Sequence, residues 1–527
     1  MNRADMVTTV RDRGEPWDII VIGGGATGLG IAVDAASRGY DVVLFEQSDF
    51  AKGTSSRSTK LVHGGVRYLQ QGNVSLVMEA LKERGLLLRN APHLVHDVAF
   101  IVPSYAWWES PFYGIGLKVY DLLAGKYGFG KSSHISRDDI AREIPSIRTD
   151  GLLGGTRYFD GQFDDARLAI NLATTAFEQG GTVLNYAAVT GLLKDADGAI
   201  EGVQVHDLES DGRVDVRGRA VINATGPFTD GVRTLDAADA QPIIAPSQGV
   251  HIVLDRSFLP GDSAIMVPHT DDGRVMFAIP WHDVAVIGTT DTPIESVSLE
   301  PRAMEDEVEF ILQNANRYLS RPVTTDDIRS VFVGIRPLVK AGGAESTAAL
   351  SRDHTILIDP ISGLMTVAGG KWTTYRKMAE DAVDQAMMLG DLEHRDCVTR
   401  RLSIHGAHEN AERFGRLAFY GSDAPKIRAL EADDDIAATV VHPRLPLTVA
   451  EVRWACRREM ARTVDDMLAR RSRCLLFDAA AAIEAAPRVA EIMASELDRD
   501  GAWQQREIEQ FRQIAQGYCI DGRDRRT

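Results

Sequence analysis

Gly23, Gly25 and Gly28 stand at G-x-G-x-x-G spacing directly after an apolar run at 18–22. Glycines so spaced cradle a pyrophosphate. The first permits a tight turn, the second lets the backbone approach the phosphates, and the third lets a helix pack closely on a strand. The following helix offers unsatisfied amides and the positive end of its dipole to the same anion. Glu46 stands eighteen residues after Gly28, where an acid accepts hydrogen bonds from a ribose and repels a 2′-phosphate. Two more glycine turns follow, at Thr225-Gly226-Pro227 and at Gly369-Gly370-Lys371. The neighbouring carboxylates Asp164 and Asp165 invite an acid–base reading. They precede a helical stretch, and N-capping and dipole charge account for them better.

These turns need strands to end on and helices to start. Residues 18–22 and 42–45 read as parallel strands buried on both faces, with a small-residue helix over 28–38 between them. Residues 74–88 have helical periodicity, and 165–179 form a further helix capped by Asp164 and stopped by Gly180 and Gly181. Strands are expected over 182–189, 202–205 and 220–223. From 241 to 292 short apolar runs broken by Pro, Gly and Asp point to an antiparallel sheet. A parallel-type strand returns at 364–367, followed by a helix reaching 387.

The expected fold is therefore α/β, a Rossmann-type nucleotide domain with an inserted antiparallel substrate domain and a C-terminal helical domain. The nucleotide domain is assembled from 17–95, 150–235 and 345–390, and the substrate domain from 96–149 and 236–344. Residues 1–16 read as a loose tail, and 403–527 as helical.

A chain of 527 residues exceeds one ordinary domain. With 44% hydrophobic and 25% charged residues it has the composition of a globular protein. Its formal charge of −17 disfavours nucleic acid as a partner, although arginines in a cleft can still recruit an anion. Cys397, Cys456, Cys474 and Cys519 are scattered, with no C-x-x-C. Reduced thiols and no metal site are expected. The first sixteen residues are polar and charged, so neither a signal peptide nor a transmembrane helix is expected.

Four motifs, TSSRSTKLVHGGVRYLQ at 54–70, GIRPL at 334–338, SRDHT at 351–355 and GGKWTTYRKMAE at 369–380, closely resemble those of the FAD-dependent glycerol-3-phosphate dehydrogenases. The resemblance runs from about residue 17 to about 520. It implies a flavoenzyme of the glutathione-reductase-like and D-amino-acid-oxidase-like kind, oxidising glycerol 3-phosphate and passing electrons to quinone. Such a protein would be cytoplasmic and peripheral on the inner face of the membrane, with a homodimer as one admissible assembly. The chain has no calcium loop of the form D-x-[DN]-x-[DN]-G, so calcium regulation is not expected.

On that resemblance Arg67, Arg336 and Arg352 are the phosphate clamp, since guanidinium forks match phosphate oxygens. His251, expected to begin a strand, is the proton acceptor. Lys371 is its rival, placed to stabilise reduced flavin or the substrate phosphate, and Tyr68 lines the pocket. For FAD, Gly23, Gly25, Gly28 and Glu46 take the pyrophosphate and adenosine ribose. Ser55, Ser56, Thr59 and Lys60 lie along the ribityl and ring side, with His63 in the flavin wall. Thr225 and Gly226 form the second turn, and Gly370, Thr373 and Thr374 surround the pyrimidine end.

Aromatic and aliphatic residues around Pro111, from Trp107 and Trp108 to Leu123, have the character of an interfacial segment. Arg457, Arg458, Arg462, Arg470, Arg471 and Arg473, interleaved with Asp465 and Asp466, read as a solvated, salt-bridged face. Three other functions stay open at this point: an oxidase of the same substrate using oxygen, a flavoenzyme acting on an amino acid or hydroxy acid, and a non-catalytic FAD-binding paralogue.

Overall fold

The computed structural model describes residues 1–66, 73–268, 270–340 and 354–520. A parallel sheet is built in the order Met365–Gly369, Gly212–Asn223, Trp17–Ile22, Val42–Phe45, Thr182–Leu184, with His354–Ile358 antiparallel on its edge. Ile19, Ile20 and Val21 are fully buried, which is why this strand carries an unbroken apolar run instead of an alternation. The helices Ala26–Ser37, Asp165–Glu178 and Tyr375–Leu389 begin where the expected turns end, and Asp164 caps the second by accepting from Arg167 N.

The second sheet is almost wholly antiparallel. Its longest pairing joins Ile244–Asp255 to Ile328–Val339, and Val284–Gly288, Met276–Trp281 and Ala264–Val267 follow. Among the described residues its one parallel pair sets Ala264–Val267 beside Val95–Ser104. Gly154–Phe163 and Leu61–Val62 also join this sheet, although sequence had assigned them to the nucleotide domain. Their short runs carry no mark of which sheet they pair with. His251 lies in the middle of its strand and does not begin it, paired with Gly288 on one side and Phe332 on the other.

Two further expectations need correction. Residues 1–16 are not a loose tail: Arg3–Asp12 is a helix whose Met6 and Val10 are buried. Arg3 anchors it by donating to the carbonyl of Asn185 and by pairing with Asp207. Nor is the arginine cluster a solvated face. Arg470 and Arg471 are buried and both hold Asp49, in the loop after Val42–Phe45, while Arg473 pairs with Asp164. Arg470 also holds Asp465 and Asp466. Arg457, half-exposed on Glu496, and the exposed Arg458 keep the expected placement, with Arg462 more covered on Glu209.

The C-terminal region is helical and thus has two attachments. Its apolar side forms one core with the back of the antiparallel sheet, joining Leu475, Ala482 and Val489 to Val253, Trp281 and Phe332. Its charged side grips the nucleotide loop through Asp49. Burial alone would raise the Asp49 pKa, and Arg471 and Arg470 overcome this and hold it below the ordinary carboxylate value.

Asp49→Ala would leave two guanidinium groups buried without their shared partner. We expect it to cost about 3–5 kcal/mol, as for other broken buried pairs, in a denaturant midpoint shift. Arg488→Ala, at an exposed pair with Glu491, is expected to cost less than about 1 kcal/mol.

Candidate functional site

Two cavities lie end to end along the junction of the sheets. One, about 370 Å³, opens on Gly23, Gly25, Glu46, Ser55, Thr225 and Gly226. The other, about 320 Å³, is walled by His63, Arg274, His251, Arg336 and Thr373. Thr54, Pro337 and Gly369–Trp372 line both, so the two form one cleft. Each cavity is of the size of an ordinary small-molecule site.

The nucleotide end is built by backbone economy. A Cβ on Gly28 would lie 1.9 Å from the carbonyl oxygen of Gly23, so this glycine sits under the turn and lets helix and strand touch. Gly23 itself has φ +108°, and a Cβ there would meet the Ala224 carbonyl at 2.8 Å. The helix Ala26–Ser37 starts at the cleft, with Ala26 N donating to Ser55 Oγ at 2.9 Å. Glu46 accepts from Gly24 N and Ser48 N, at 2.7 and 2.8 Å; burial raises its pKa. Trp372 Nε1 donates to the Ser55 carbonyl and ties the Gly370 turn to the first glycine turn. These residues fit FAD: a helix N-terminus and glycine backbone for phosphates, an acid beside them for a ribose, and a cleft continuing past Gly370 for the ring.

Four of the sequence-predicted FAD residues are placed otherwise. Ser56 is buried off the cleft, where its carbonyl accepts from Lys60 Nζ at 2.7 Å. Lys60 is fully buried in an ion pair with Asp165 at 2.8 Å, facing away from the ring side. Thr374 is buried and donates to the Lys371 carbonyl, closing the helix start. Thr59 does face the second cavity, but its hydroxyl meets His251 Nε2 at 2.9 Å. Arg67, Tyr68 and Arg352 lie outside the described residues.

The second cavity has the electrostatics of an anion site. Among its described lining residues Arg57, Arg274, Arg336 and Lys371 face two carboxylates, Asp160 and Asp291. Asp160 is matched by Arg84 and Arg57 by Glu300, neither of which lines the cavity, so among the described lining residues Arg274, Arg336 and Lys371 stand against Asp291 alone. Asp291 binds Arg274 at 2.7 Å and Arg336 at 3.2 Å, and so spaces two guanidinium forks. The second nitrogen of Arg336 donates to Thr289 Oγ1 and to the Thr290 carbonyl. Sequence reading missed Arg57, Arg274 and Asp291. Arg57 lies within the recognised TSSRS stretch, whereas Arg274 and Asp291 have no motif around them.

Lys371 precedes the turn Trp372–Thr374, and its ammonium is buried at the meeting of the cavities. His251 stacks on Phe332, with ring centroids 4.7 Å apart and planes within 8°. Burial, followed by Arg336 and Lys60, holds its pKa well below the ordinary histidine value, which keeps the ring neutral. Among the described residues no cluster of His, Cys, Asp and Glu is arranged to hold a metal ion, and the four cysteines are free thiols.

Residues 18–376 match the family model "FAD dependent oxidoreductase", and 397–505 match "C-terminal domain of alpha-glycerophosphate oxidase". A probable mitochondrial glycerol-3-phosphate dehydrogenase of Caenorhabditis elegans is 40% identical, over 97% of this chain and 74% of its own length. The human mitochondrial glycerol-3-phosphate dehydrogenase is 39% identical, over 97% and 75%. Among solved structures, the glycerol-3-phosphate dehydrogenase of Bacillus halodurans, complexed with FAD, superposes with a TM-score of 0.80 at 28% identity, covering 98% of both chains. The L-alpha-glycerophosphate oxidase of Mycoplasma pneumoniae shares the fold, with a TM-score of 0.57 at 16% identity over 73% of this chain and 97% of that one.

Gly28→Ala forces a methyl into the Gly23 carbonyl. The variant is expected to purify without flavin absorbance while keeping its far-ultraviolet dichroism. Retained flavin at wild-type occupancy would contradict the assignment of this turn.

Proposed function

Because this chain belongs to the FAD-dependent glycerol-3-phosphate dehydrogenases, we propose that it oxidises sn-glycerol 3-phosphate to dihydroxyacetone phosphate and delivers the electrons to a membrane quinone. The observation that carries the substrate reading is the cation-rich chamber at the far end of the dinucleotide cleft, where two arginines share Asp291. A phosphate dianion matches paired guanidinium forks better than a single carboxylate does.

FAD, when bound, supplies the hydride acceptor; Gly23, Gly25, Glu46, Ser55, Thr225, Gly226, Gly370 and Thr373 are the residues that would hold it. The chain's own part is positional and electrostatic. Arg336, tethered to Asp291 and Thr290, binds the phosphate and fixes the carbon skeleton in the cavity. Lys371, where the cavities join, adds positive charge that favours an anionic product state. His251, neutral and stacked, takes the proton of the substrate hydroxyl.

Delivery to quinone requires contact with a bilayer, and the helix Glu109–Ala124 supports it. Tyr113, Leu117, Tyr120 and Ala124 are buried, yet the other side is apolar too: Trp107 is 82%, Ile115 69% and Leu122 81% exposed. A helix apolar on its outer face, with tryptophans at its start, suits the membrane interface. Among the described residues no helix is long and apolar enough to cross a membrane, so the proposed attachment is peripheral.

The match of 397–505 to a domain named for an oxidase supports one other reading, direct reduction of oxygen. Anaerobic addition of glycerol 3-phosphate is expected to bleach the flavin, and a soluble quinone analogue to restore its colour much faster than air does. Rapid reoxidation by air with stoichiometric peroxide would favour the oxidase. Arg336→Ala should keep FAD and raise KM by roughly 10–100-fold, the range for one lost charged hydrogen bond. An unchanged KM would remove Arg336 from the phosphate site.

The double variant Trp107→Asp, Trp108→Asp is expected to leave liposomes in a flotation assay while dye-linked turnover stays at the wild-type level. If it floats as wild type does, the contact lies elsewhere.

A further inference from the structure

His251 is set deep in its wall. It is 2% exposed, its Nδ1 is buried with no hydrogen-bond partner among the described residues, and Gly288 closes on its ring edge, where a Cβ would come within 2.4 Å of Cδ2. Stacking on Phe332 fixes the plane of the ring but does not select which nitrogen faces the cavity. The one directional contact is that of Nε2 with Thr59 Oγ1, at 2.9 Å. Thr59 is only partly buried and lines the cavity beside Arg336 and Lys371. The hydroxyl therefore stands in front of the nitrogen. A hydroxyl can accept one proton while donating another, which a side chain of the same shape without oxygen cannot do.

We propose that Thr59 is a catalytic residue that relays the substrate's hydroxyl proton to His251. The O–H bond of the substrate breaks as its proton passes to Thr59 Oγ1. The proton already on Oγ1 passes to His251 Nε2, giving an imidazolium ion. With FAD bound, the electron pair of the substrate C–H bond would leave as hydride to it as the carbonyl forms. Charge and atoms balance, and Thr59 ends as it began. Burial, with Arg336 and Lys60 nearby, disfavours a cation at His251, so once the product has left, the proton returns from Nε2 through Thr59 Oγ1 to water in the cavity. The inference rests on His251 as the proton acceptor proposed above.

The test uses the FAD-loaded enzyme. Thr59→Val, which keeps the shape and removes the hydroxyl, is expected to lower kcat by roughly 100-fold, the lower end of acid–base contributions, with KM and flavin absorbance held. Thr59→Ser should recover most of that rate, a rescue that a packing role for the threonine methyl would not give. In mixed light and heavy water the wild-type rate should fall as a curved function of isotope fraction, the sign of two protons moving together. The same plot should be linear for Thr59→Val. Histidine-labelled protein gives a readout apart from turnover: the Nε2 resonance of His251, assigned through His251→Ala, should shift in Thr59→Val and return in Thr59→Ser. A linear wild-type plot overturns the relay even if Thr59→Val fails to fold. Wild-type kcat in Thr59→Val beside a His251→Ala variant slowed by about 10²–10⁴-fold overturns the relay alone. Wild-type kcat in His251→Ala overturns the histidine reading and the relay with it.

Discussion

A lysine and an aspartate that never reach water hold the two halves of the site in register. Lys60 and Asp165 are both fully buried, 2.8 Å apart. Asp165 opens a helix of the nucleotide domain and also accepts from the backbone and hydroxyl of Ser58. Lys60 donates back to the Ser56 carbonyl, and its ammonium lies 5.0 Å from the ring of Phe332. Phe332 in turn stacks with His251. Removing either charge would strand the other in a medium that solvates ions poorly. The pair is thus a fixed reference point: the segment between Ser55 and Lys60 runs from the nucleotide cavity at one end to the proposed proton acceptor at the other, and is tied down at Lys60.

This arrangement explains which parts of the site were legible in the sequence. The glycine turns announced themselves because their chemistry is local: pyrophosphate, strand and helix all meet within a dozen residues. Lys60 was misplaced because its partner lies more than a hundred residues on, in a stretch whose capping role gave no hint of a second task. Asp164 and Asp165 were rightly read as helix-start residues, yet each also anchors a distant cation, Arg473 or Lys60. The C-terminal arginines misled for a related reason. Interleaved Arg and Asp read as a surface, and only the fold shows that Asp49 waits for two of them. The N-terminal helix was invisible because it buries little more than Met6 and Val10, too few for a periodic signal.

The antiparallel sheet shows the limit from the other side. Its strands were evident as short apolar runs, but pairing depends on contacts that no local pattern specifies. Gly154–Phe163 was therefore assigned to the wrong layer, and His251 to the start of a strand instead of its centre. Central placement matters chemically. Neighbours on both flanks fix the backbone beneath the histidine, and its ring is held by stacking and one directional contact to a neutral hydroxyl, with no ion pair to a carboxylate among the described residues.

Gly369–Trp372 belongs to the lining of both cavities, and that shared floor has a thermodynamic meaning. Ligands bound in the two cavities would rest on one wall, so any shift of that wall made for one of them would be felt by the other, and whatever coupling results is equal in both directions. A substrate that gripped more tightly with flavin in place would by the same factor protect the flavin from loss.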